Sequence, residues 1–310
     1  MRLSRSSMKN TLSVVISAYN EEAAIGRCLA SVPFADEIVV VDNTSTDKTK
    51  EISKKYTKHV YSRVNKLMLN ENKNFGFFKA TGDWILNLDA DEEIPSELAS
   101  EIQTLINSGP SEDGFWIKRK NYSFGKWIQN GLWWPDRQIR LFRRMKGKFP
   151  CEHIHEYIRI DGTIGELVQP YLHHNYETIH QYLTKIDRAS TSEALFLRDA
   201  KHVLTWHDAI RFPVSDFLKI YFAQRGWKDG LHGLVLALLQ SFYSFCVFAK
   251  FWEMEKFPQR EIAQEAIASE FKKNGQDVSY WILTTKMNES ASGVEKLQSK
   301  IRRKLLSLRL

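Results

Sequence analysis

Two aspartates separated by one residue, Asp89-Ala90-Asp91, close an apolar run that contains Trp84, Ile85, Leu86 and Leu88. Carboxylates at that spacing, at the end of a buried strand, suit a hard divalent ion that also touches phosphate oxygens. Mg²⁺ and Mn²⁺ take oxygen ligands, keep several waters and are commonly shared with a substrate diphosphate. The spacing alone is weak evidence. It gains weight from two further polar clusters that also follow apolar runs, Tyr19-Asn20-Glu21 and Asp42-Asn43. Any one of the three is equally well an ordinary capping turn, but three at successive strand ends ask for a common explanation.

Other groupings carry less. Cys151, His153 and His155 alternate, so on a strand they share one face, but a zinc site lacks a fourth ligand at suitable spacing. Arg140, Arg143 and Arg144 lie in one segment, where alternation places Arg143 on the face opposite Arg140 and Arg144, so the three do not converge on one anion. Lys73 and Lys79 read first as solvated surface lysines that could add positive charge near the aspartates.

The elements that position these residues alternate in type. Leu12 to Ser17 and Glu37 to Val41 are short β-branched runs of the kind buried in a parallel sheet, and Asp83 to Asp89 is a third. Glu21 to Ser31 reads as a helix, and Ser45-Thr46-Asp47 caps a second that runs to about Tyr56. This βαβαβ rhythm predicts a doubly wound α/β sheet with its ligand crevice beyond the carboxyl ends of the strands. From Gly114 to Leu172 the segments shorten to Phe115–Lys120, Arg137–Arg143 and Glu156–Ile160, which predicts antiparallel additions joined by a loop holding Trp127, Trp133 and Trp134. From His180 the pattern is helical to the end.

The chain has 310 residues, 43% hydrophobic and 26% charged, which excludes a mainly disordered protein. Its net charge of +7 invites a nucleic-acid reading, but the charge is concentrated at the ends. Residues 1–10 carry +3 and residues 286–310 carry +5, leaving the other 275 at −1. A neutral body with basic ends does not suit a nucleic-acid partner. It suits either solvated termini or contact with an anionic membrane surface. Three dispersed cysteines, Cys28, Cys151 and Cys246, point to a reducing compartment, and Leu12 to Tyr19 is too short for a signal-peptide core, so a cytoplasmic location is expected.

Taken in order, LSVVISAYNEE, EIVVVDNTSTDKT and KNFGFFKATGDWILNLDADEE resemble the nucleotide-sugar-binding half of family 2 glycosyltransferases, which have the GT-A fold, a Rossmann-like, doubly wound, mostly parallel sheet. WWPDRQIRLFRR, HIHE, YLHHNY, RGWKDGLHGLVLALLQSFYSF and AKFWE are similar to the bacterial lipopolysaccharide core β-glucosyltransferase subgroup. The resemblance implies a nucleoside diphosphate sugar donor, in particular a UDP-sugar, a lipid-linked glycan acceptor and a divalent metal, Mg²⁺ or Mn²⁺. Carried over residue by residue, Ala18, Tyr19 and Glu21 surround the nucleobase, and Asp42 bonds to it or to its ribose. Asp89 contacts the donor and, with Asp91, matches the metal and diphosphate motif, with Asp91 the more direct ligand. His173 matches a histidine that completes the metal shell, although an ordinary loop histidine fits its place equally well. An inverting transfer needs a base, for which Glu156 matches the family's acidic position and Asp136, beside the Trp loop, is the alternative. Trp133 and Trp134 would stack on acceptor sugars, with at least one tryptophan of the loop serving the core.

The expected organisation is a basic arm (1–11), a GT-A catalytic domain (12–179) with its nucleotide-sugar half at 12–93 and its acceptor half at 94–179, a helical extension (180–285) and a basic amphipathic tail (286–310). Gly233 to Ala249 carries no charged residue across seventeen positions, near the lower limit for a membrane span, so it reads as a buried or interfacial helix. In the tail, Val294, Leu297, Ile301, Leu305 and Leu308 recur at helical spacing among basic residues, which suits a membrane surface or a partner helix. Together these place the protein on the cytoplasmic face of the inner membrane. Two other classes use the same carboxylates: a metal-dependent phospho- or nucleotidyltransferase, and a non-catalytic nucleotide-sugar-binding protein.

Overall fold

A computed structural model describes residues 9–65, 68–152 and 156–307. His153, His155 and Leu308, and residues 1–8 of the basic arm, all part of the expectations above, lie outside the described residues. The chain divides into two compact units, residues 1–122 with 135–175, and residues 123–134 with 176–310.

The first unit opens with the expected alternation. Strands β1 (Leu12–Ala18), β2 (Glu37–Asp42), β3 (Val60–Ser62) and β4 (Trp84–Asp89) lie side by side in the order β3-β2-β1-β4, all parallel. Leu12, Val14, Val15 and Ile16 of β1 are fully buried. Each such side chain contributes about 1.5–3 kcal/mol, which is why a run with almost no polar interruption is found at the centre of the sheet. From β1 the chain moves to β2 and β3 on one side and to β4 on the other, so the switch point falls between β1 and β4.

The helices on this half are α1 (Ile25–Ala30), α2 (Thr49–Ser53) and α3 (Asn70–Lys79). The first two are shorter than the sequence pattern predicts, because residues 19–24 and 43–48 are used to build loops instead. The third was not anticipated. A Cβ on Gly76 would stand 2.5 Å from Val15 Cγ1, so only glycine lets α3 lie this close to β1. That approach aims Lys73, one turn earlier, at the end of β4.

Past β4 the sheet becomes mixed rather than mostly parallel. The chain continues through β5 (Glu92–Glu93), α4 (Ser96–Ser108) and β6 (Gly114–Ser123), and, after β7 (Lys126–Trp127) in the other unit, through β8 (Asp136–Arg143), β9 (Gly147–Lys148), β10 (Arg159–Ile160), β11 (Ile164–Glu166) and β12 (Tyr171–Tyr176). The path runs β4-β8-β6-β12-β5, with β8 antiparallel to both β4 and β6 and β12 antiparallel to β5. Two of the antiparallel additions expected from 114 to 172, Phe115–Lys120 and Arg137–Arg143, are present as β6 and β8; the third, Glu156–Ile160, is a strand only at Arg159–Ile160, which pairs with β9 in a separate two-stranded sheet, and β12 is a strand the sequence pattern missed.

The second unit is helical: α5 (Ile179–Asp199), α6 (Asp208–Phe217), a π-helical turn (Leu218–Ala223), α7 (Leu231–Met254), α8 (Gln264–Glu289) and α9 (Gly293–Ser307). The Trp loop belongs to this unit. Trp133 is 8% exposed and packs with Ile128, Ile220, Leu236 and Ala237. Of the two tryptophans expected at the acceptor, Trp133 is thus the one whose ring contributes to a core. Trp134 is half-buried and meets Trp127 edge to face at 5.4 Å.

Candidate active site

Strand register gathers the polar clusters at one edge of the sheet. Ala18 is paired with Asp42 across β1 and β2, and Ser17 with Asp89 across β1 and β4. Asp42 is buried and accepts the Ser45 N–H at 3.2 Å. The Tyr19–Glu22 loop is tied to the 45–49 loop: Ser45 Oγ accepts from the Asn20 N–H, Thr49 Oγ1 from the Glu21 N–H and Asp47 from the Glu22 N–H. Asn20 adopts φ 54°, a conformation its short polar side chain tolerates, and its Oδ1 accepts the Thr46 N–H. These bonds hold the two loops as one rim, from which the Tyr19 ring is exposed.

Asp89 is enclosed by cations. Lys73 Nζ lies 2.5 Å from Oδ1, and Arg140 Nη2 lies 2.7 Å from Oδ2. The same Arg140 nitrogen reaches Glu92 Oε1 at 2.5 Å, while Arg140 Nε donates to the Tyr171 hydroxyl at 3.1 Å. Burial alone would raise the Asp89 pKa, but the charges of Lys73 and Arg140 prevail and hold it well below the usual carboxylate range. Lys73 is thus part of the site, whereas Lys79 lies over the rings of Tyr61, Phe75 and Phe78. Arg143 takes the opposite course from Arg140, stacking over Trp84 and donating to the Glu112 carbonyl.

Asp91 faces His173, with Nε2 3.5 Å from Oδ1. On its other side His173 Nδ1 is 2.6 Å from Asn121 Oδ1. The Asn121 amide nitrogen donates to Asp136 Oδ2 at 2.8 Å, which fixes the amide orientation because a carboxylate only accepts. In the neutral imidazole Nδ1 therefore carries the proton, and Nε2 presents its lone pair toward Asp91.

Asp136 is fully engaged. Arg119 approaches its Oδ2 at 2.7 Å, Gln138 donates to Oδ1 at 2.8 Å, and Asn121 completes the set. Burial would raise its pKa, but Arg119 and the hydrogen bonds more than offset this and lower it. A carboxylate whose basicity is lowered by a paired guanidinium is a weak proton acceptor, which counts against Asp136 as the base.

Glu156 lines a cavity of about 240 Å³ with Asn70, Lys73, Asp89, Arg119 and Arg140. Its Oε1 accepts from Asn70 Nδ2 at 2.9 Å and from the Cys151 N–H at 2.7 Å, and Oε2 accepts from the Glu152 N–H at 3.1 Å. The carboxylate is therefore held in place on the wall of the space that Asp89 also faces.

Asp91 and His173 set one oxygen and one nitrogen donor 3.5 Å apart. Among the described residues no three His, Cys, Asp or Glu side chains are grouped to hold an ion by themselves. An ion that takes its remaining ligands from water and a diphosphate needs only one or two protein groups. Asp89, expected to contact both donor and metal, has one oxygen against Lys73 and the other against Arg140.

Sequence reasoning missed Glu92, Arg119 and Asn121. Arg119 and Asn121 are two apart on β6 and so share a face, a signal that was visible but had no partner to point to.

Residues 13–160 match the family model described as glycosyl transferase family 2. The lipopolysaccharide core biosynthesis glycosyltransferase LpsC of Rhizobium meliloti is 26% identical over 268 residues, 84% of this chain and 98% of that protein. An uncharacterized glycosyltransferase of Rickettsia typhi, RT0209, is 27% identical over 82% of this chain and 91% of its own length. Among solved structures, residues 1–349 of Staphylococcus aureus TarS in complex with UDP-GlcNAc superpose with a TM-score of 0.45 at 18% identity, covering 82% of this chain and 95% of that one.

Proposed function

Because residues 13–160 are a glycosyl transferase family 2 domain, we propose that this protein is an inverting glycosyltransferase that moves a sugar from a nucleoside diphosphate sugar, in particular a UDP-sugar, to a lipid-linked glycan of the lipopolysaccharide core type. The observation that carries the reading is the shared cavity of Glu156 and Asp89 at the carboxyl edge of the sheet. The likeness to LpsC over nearly the whole of that relative supports this acceptor class.

In this reading the nucleoside sits on the rim formed by Ala18, Tyr19, Glu21 and Asp42, and the diphosphate lies toward the end of β4. Glu156 takes the acceptor hydroxyl proton as the acceptor oxygen bonds to the anomeric carbon and the bond from that carbon to the diphosphate oxygen breaks. Lys73 and Arg140 keep Asp89 ionised and offset its charge, so the incoming diphosphate does not meet an uncompensated carboxylate. Asp91 and His173 would hold a Mg²⁺ or Mn²⁺, the imidazole nitrogen favouring Mn²⁺, and such an ion would neutralise charge on the departing diphosphate.

Membrane contact belongs to the same proposal. Helix α7 is long and apolar enough to cross a bilayer by length and composition, and Leu231, Leu238, Phe242, Phe245 and Trp252 are exposed along it. A face of this kind, with the basic α9, suits peripheral attachment to the cytoplasmic leaflet of the inner membrane.

Incubation with a panel of nucleotide sugars, reading released nucleoside diphosphate with and without Mn²⁺, tests the reading. A metal-stimulated release from one or a few sugars supports it. Release of sugar 1-phosphate would point to nucleotidyl transfer instead, release of a nucleoside monophosphate to transfer of the sugar phosphate, and tight binding without turnover to a non-catalytic binding protein.

A further inference from the structure

The helical unit contains a cavity of about 1120 Å³, and none of the catalytic residues above lines it. Its apolar wall is made by Trp206, Ile210, Phe248, Phe251, Trp252 and Ile267, from α6, α7, α8 and the segment preceding α6. The segment after α7 forms another side. Lys256 and Phe257 adopt φ 61° and 54°, the Phe257 ring meets Trp252 at 4.9 Å, and Trp252 Nε1 donates to the Pro258 carbonyl at 3.2 Å. This turn folds residues 258–262 back along the cavity. A space of this size, lined by aromatic and aliphatic groups with a few polar ones at its edge, is of the kind that holds a small ligand.

Two features define the ligand's chemistry. Arg198, Lys201 and Arg260 line the cavity against Glu255 and Glu261, and among the described residues neither Lys201 nor Arg260 has an ion-pair partner. An anionic head is therefore matched by available cations. Second, Trp252 belongs both to the cavity and to the exposed apolar face of α7, where Leu231, Leu238, Phe242, Phe245 and Trp252 follow one another at intervals of seven, four, three and seven. The apolar interior is continuous with the face that suits a bilayer.

We propose that this cavity receives an acyl chain of the lipid-linked acceptor, with a phosphate of its head held by Lys201 and Arg260. The assignment of the lipid to the acceptor rests on the glycosyltransferase reading; the binding of an anionic amphiphile does not. The site would anchor the acceptor during transfer and would favour lipid-linked over free glycan.

Titration of the full chain with dodecyl phosphate below its micellar concentration, followed by calorimetry and by tryptophan fluorescence, should give one saturable site. Dodecyl maltoside should bind about tenfold more weakly and inorganic phosphate not measurably, because tail and charge are both required. Ile210→Trp and Ile267→Trp, singly and combined, are the filled variants: they take up part of the apolar wall's space and should weaken binding progressively with the circular dichroism spectrum unchanged, and Lys201→Ala with Arg260→Ala should weaken dodecyl phosphate alone. In transfer assays the filled variants should lose about tenfold in kcat/KM for lipid-linked acceptor while keeping the wild-type value for the same glycan stripped of acyl chains. Binding to phosphatidylglycerol vesicles should not change. Absence of dodecyl phosphate binding, or equal losses with both acceptors, overturns the proposal, and loss of vesicle binding in the filled variants reassigns the cavity to bulk lipid. Wild-type protein that binds dodecyl phosphate yet transfers to neither acceptor would instead contradict the glycosyltransferase reading.

Discussion

Arg140 Nη2 lies 2.7 Å from Asp89 Oδ2, linking β8 to the end of β4. Arg140 is 4% exposed and meets Glu92 with the same nitrogen, so one buried cation serves two carboxylates at the edge of the candidate donor site. Removing one partner of a buried pair leaves the other charge uncompensated, which costs about 3–5 kcal/mol. Arg140→Met should therefore lower the stability measured by urea unfolding by that amount. A loss below about 1 kcal/mol would mean that Lys73 alone balances the site.

Acid should weaken the same edge. The folded-state pKa of Asp136 is lowered by Arg119 and its hydrogen bonds in spite of burial, so it lies below the unfolded value of about 3.9. The stability it contributes is fully present above that value and is lost as pH falls through it toward the folded pKa. The urea midpoint of the wild type should fall between about pH 4.5 and pH 3, and that of Asp136→Asn should fall less steeply. Parallel slopes would show that Asp136 contributes no such term.

Asn121 sets the proton on His173, so its loss should act on the ion and leave the base in place. Asn121→Ala should weaken Mn²⁺ binding in the presence of UDP by about 10- to 100-fold, read by electron paramagnetic resonance of free Mn²⁺. Unchanged affinity would remove His173 from the ion's shell.

Gly76 allows α3 to reach the sheet. With Val15 Cγ1 at 2.5 Å and Val41 Cγ2 at 3.1 Å from the position of an added Cβ, Gly76→Ala must push the helix outward. Overpacking of this kind costs about 1–3 kcal/mol. Because Lys73 moves with the helix, KM for the donor should rise as well, and an unchanged melting temperature would show that the helix has room to shift.

The strand ends were the legible part of the sequence. Asp42 and Asp89 could be read as carboxyl-edge residues because β2 and β4 are continuous buried runs, and the parallel register that sets both beside β1 follows from the alternation of elements. What the sequence hid depends on pairing at long range. Lys73 looks like a surface lysine until Gly76 brings α3 down. Arg119 and Asn121 acquire meaning only when β6 lies between β8 and β12. Trp133 looked like a sugar platform because a tryptophan beside a polar loop fits either role, and only the packing of Ile220 and Leu236 against it decides for the core.

Transfer by Glu156→Gln tests the central claim most directly. Glu156 is held by Asn70, Cys151 and Glu152 on the wall it shares with Asp89, so the substitution removes the proton acceptor at the site itself. Sugar transfer should fall by about 10²- to 10⁴-fold while the affinity for the nucleotide sugar stays within a few-fold of wild type. Transfer at the wild-type rate, with donor binding retained, would contradict the account.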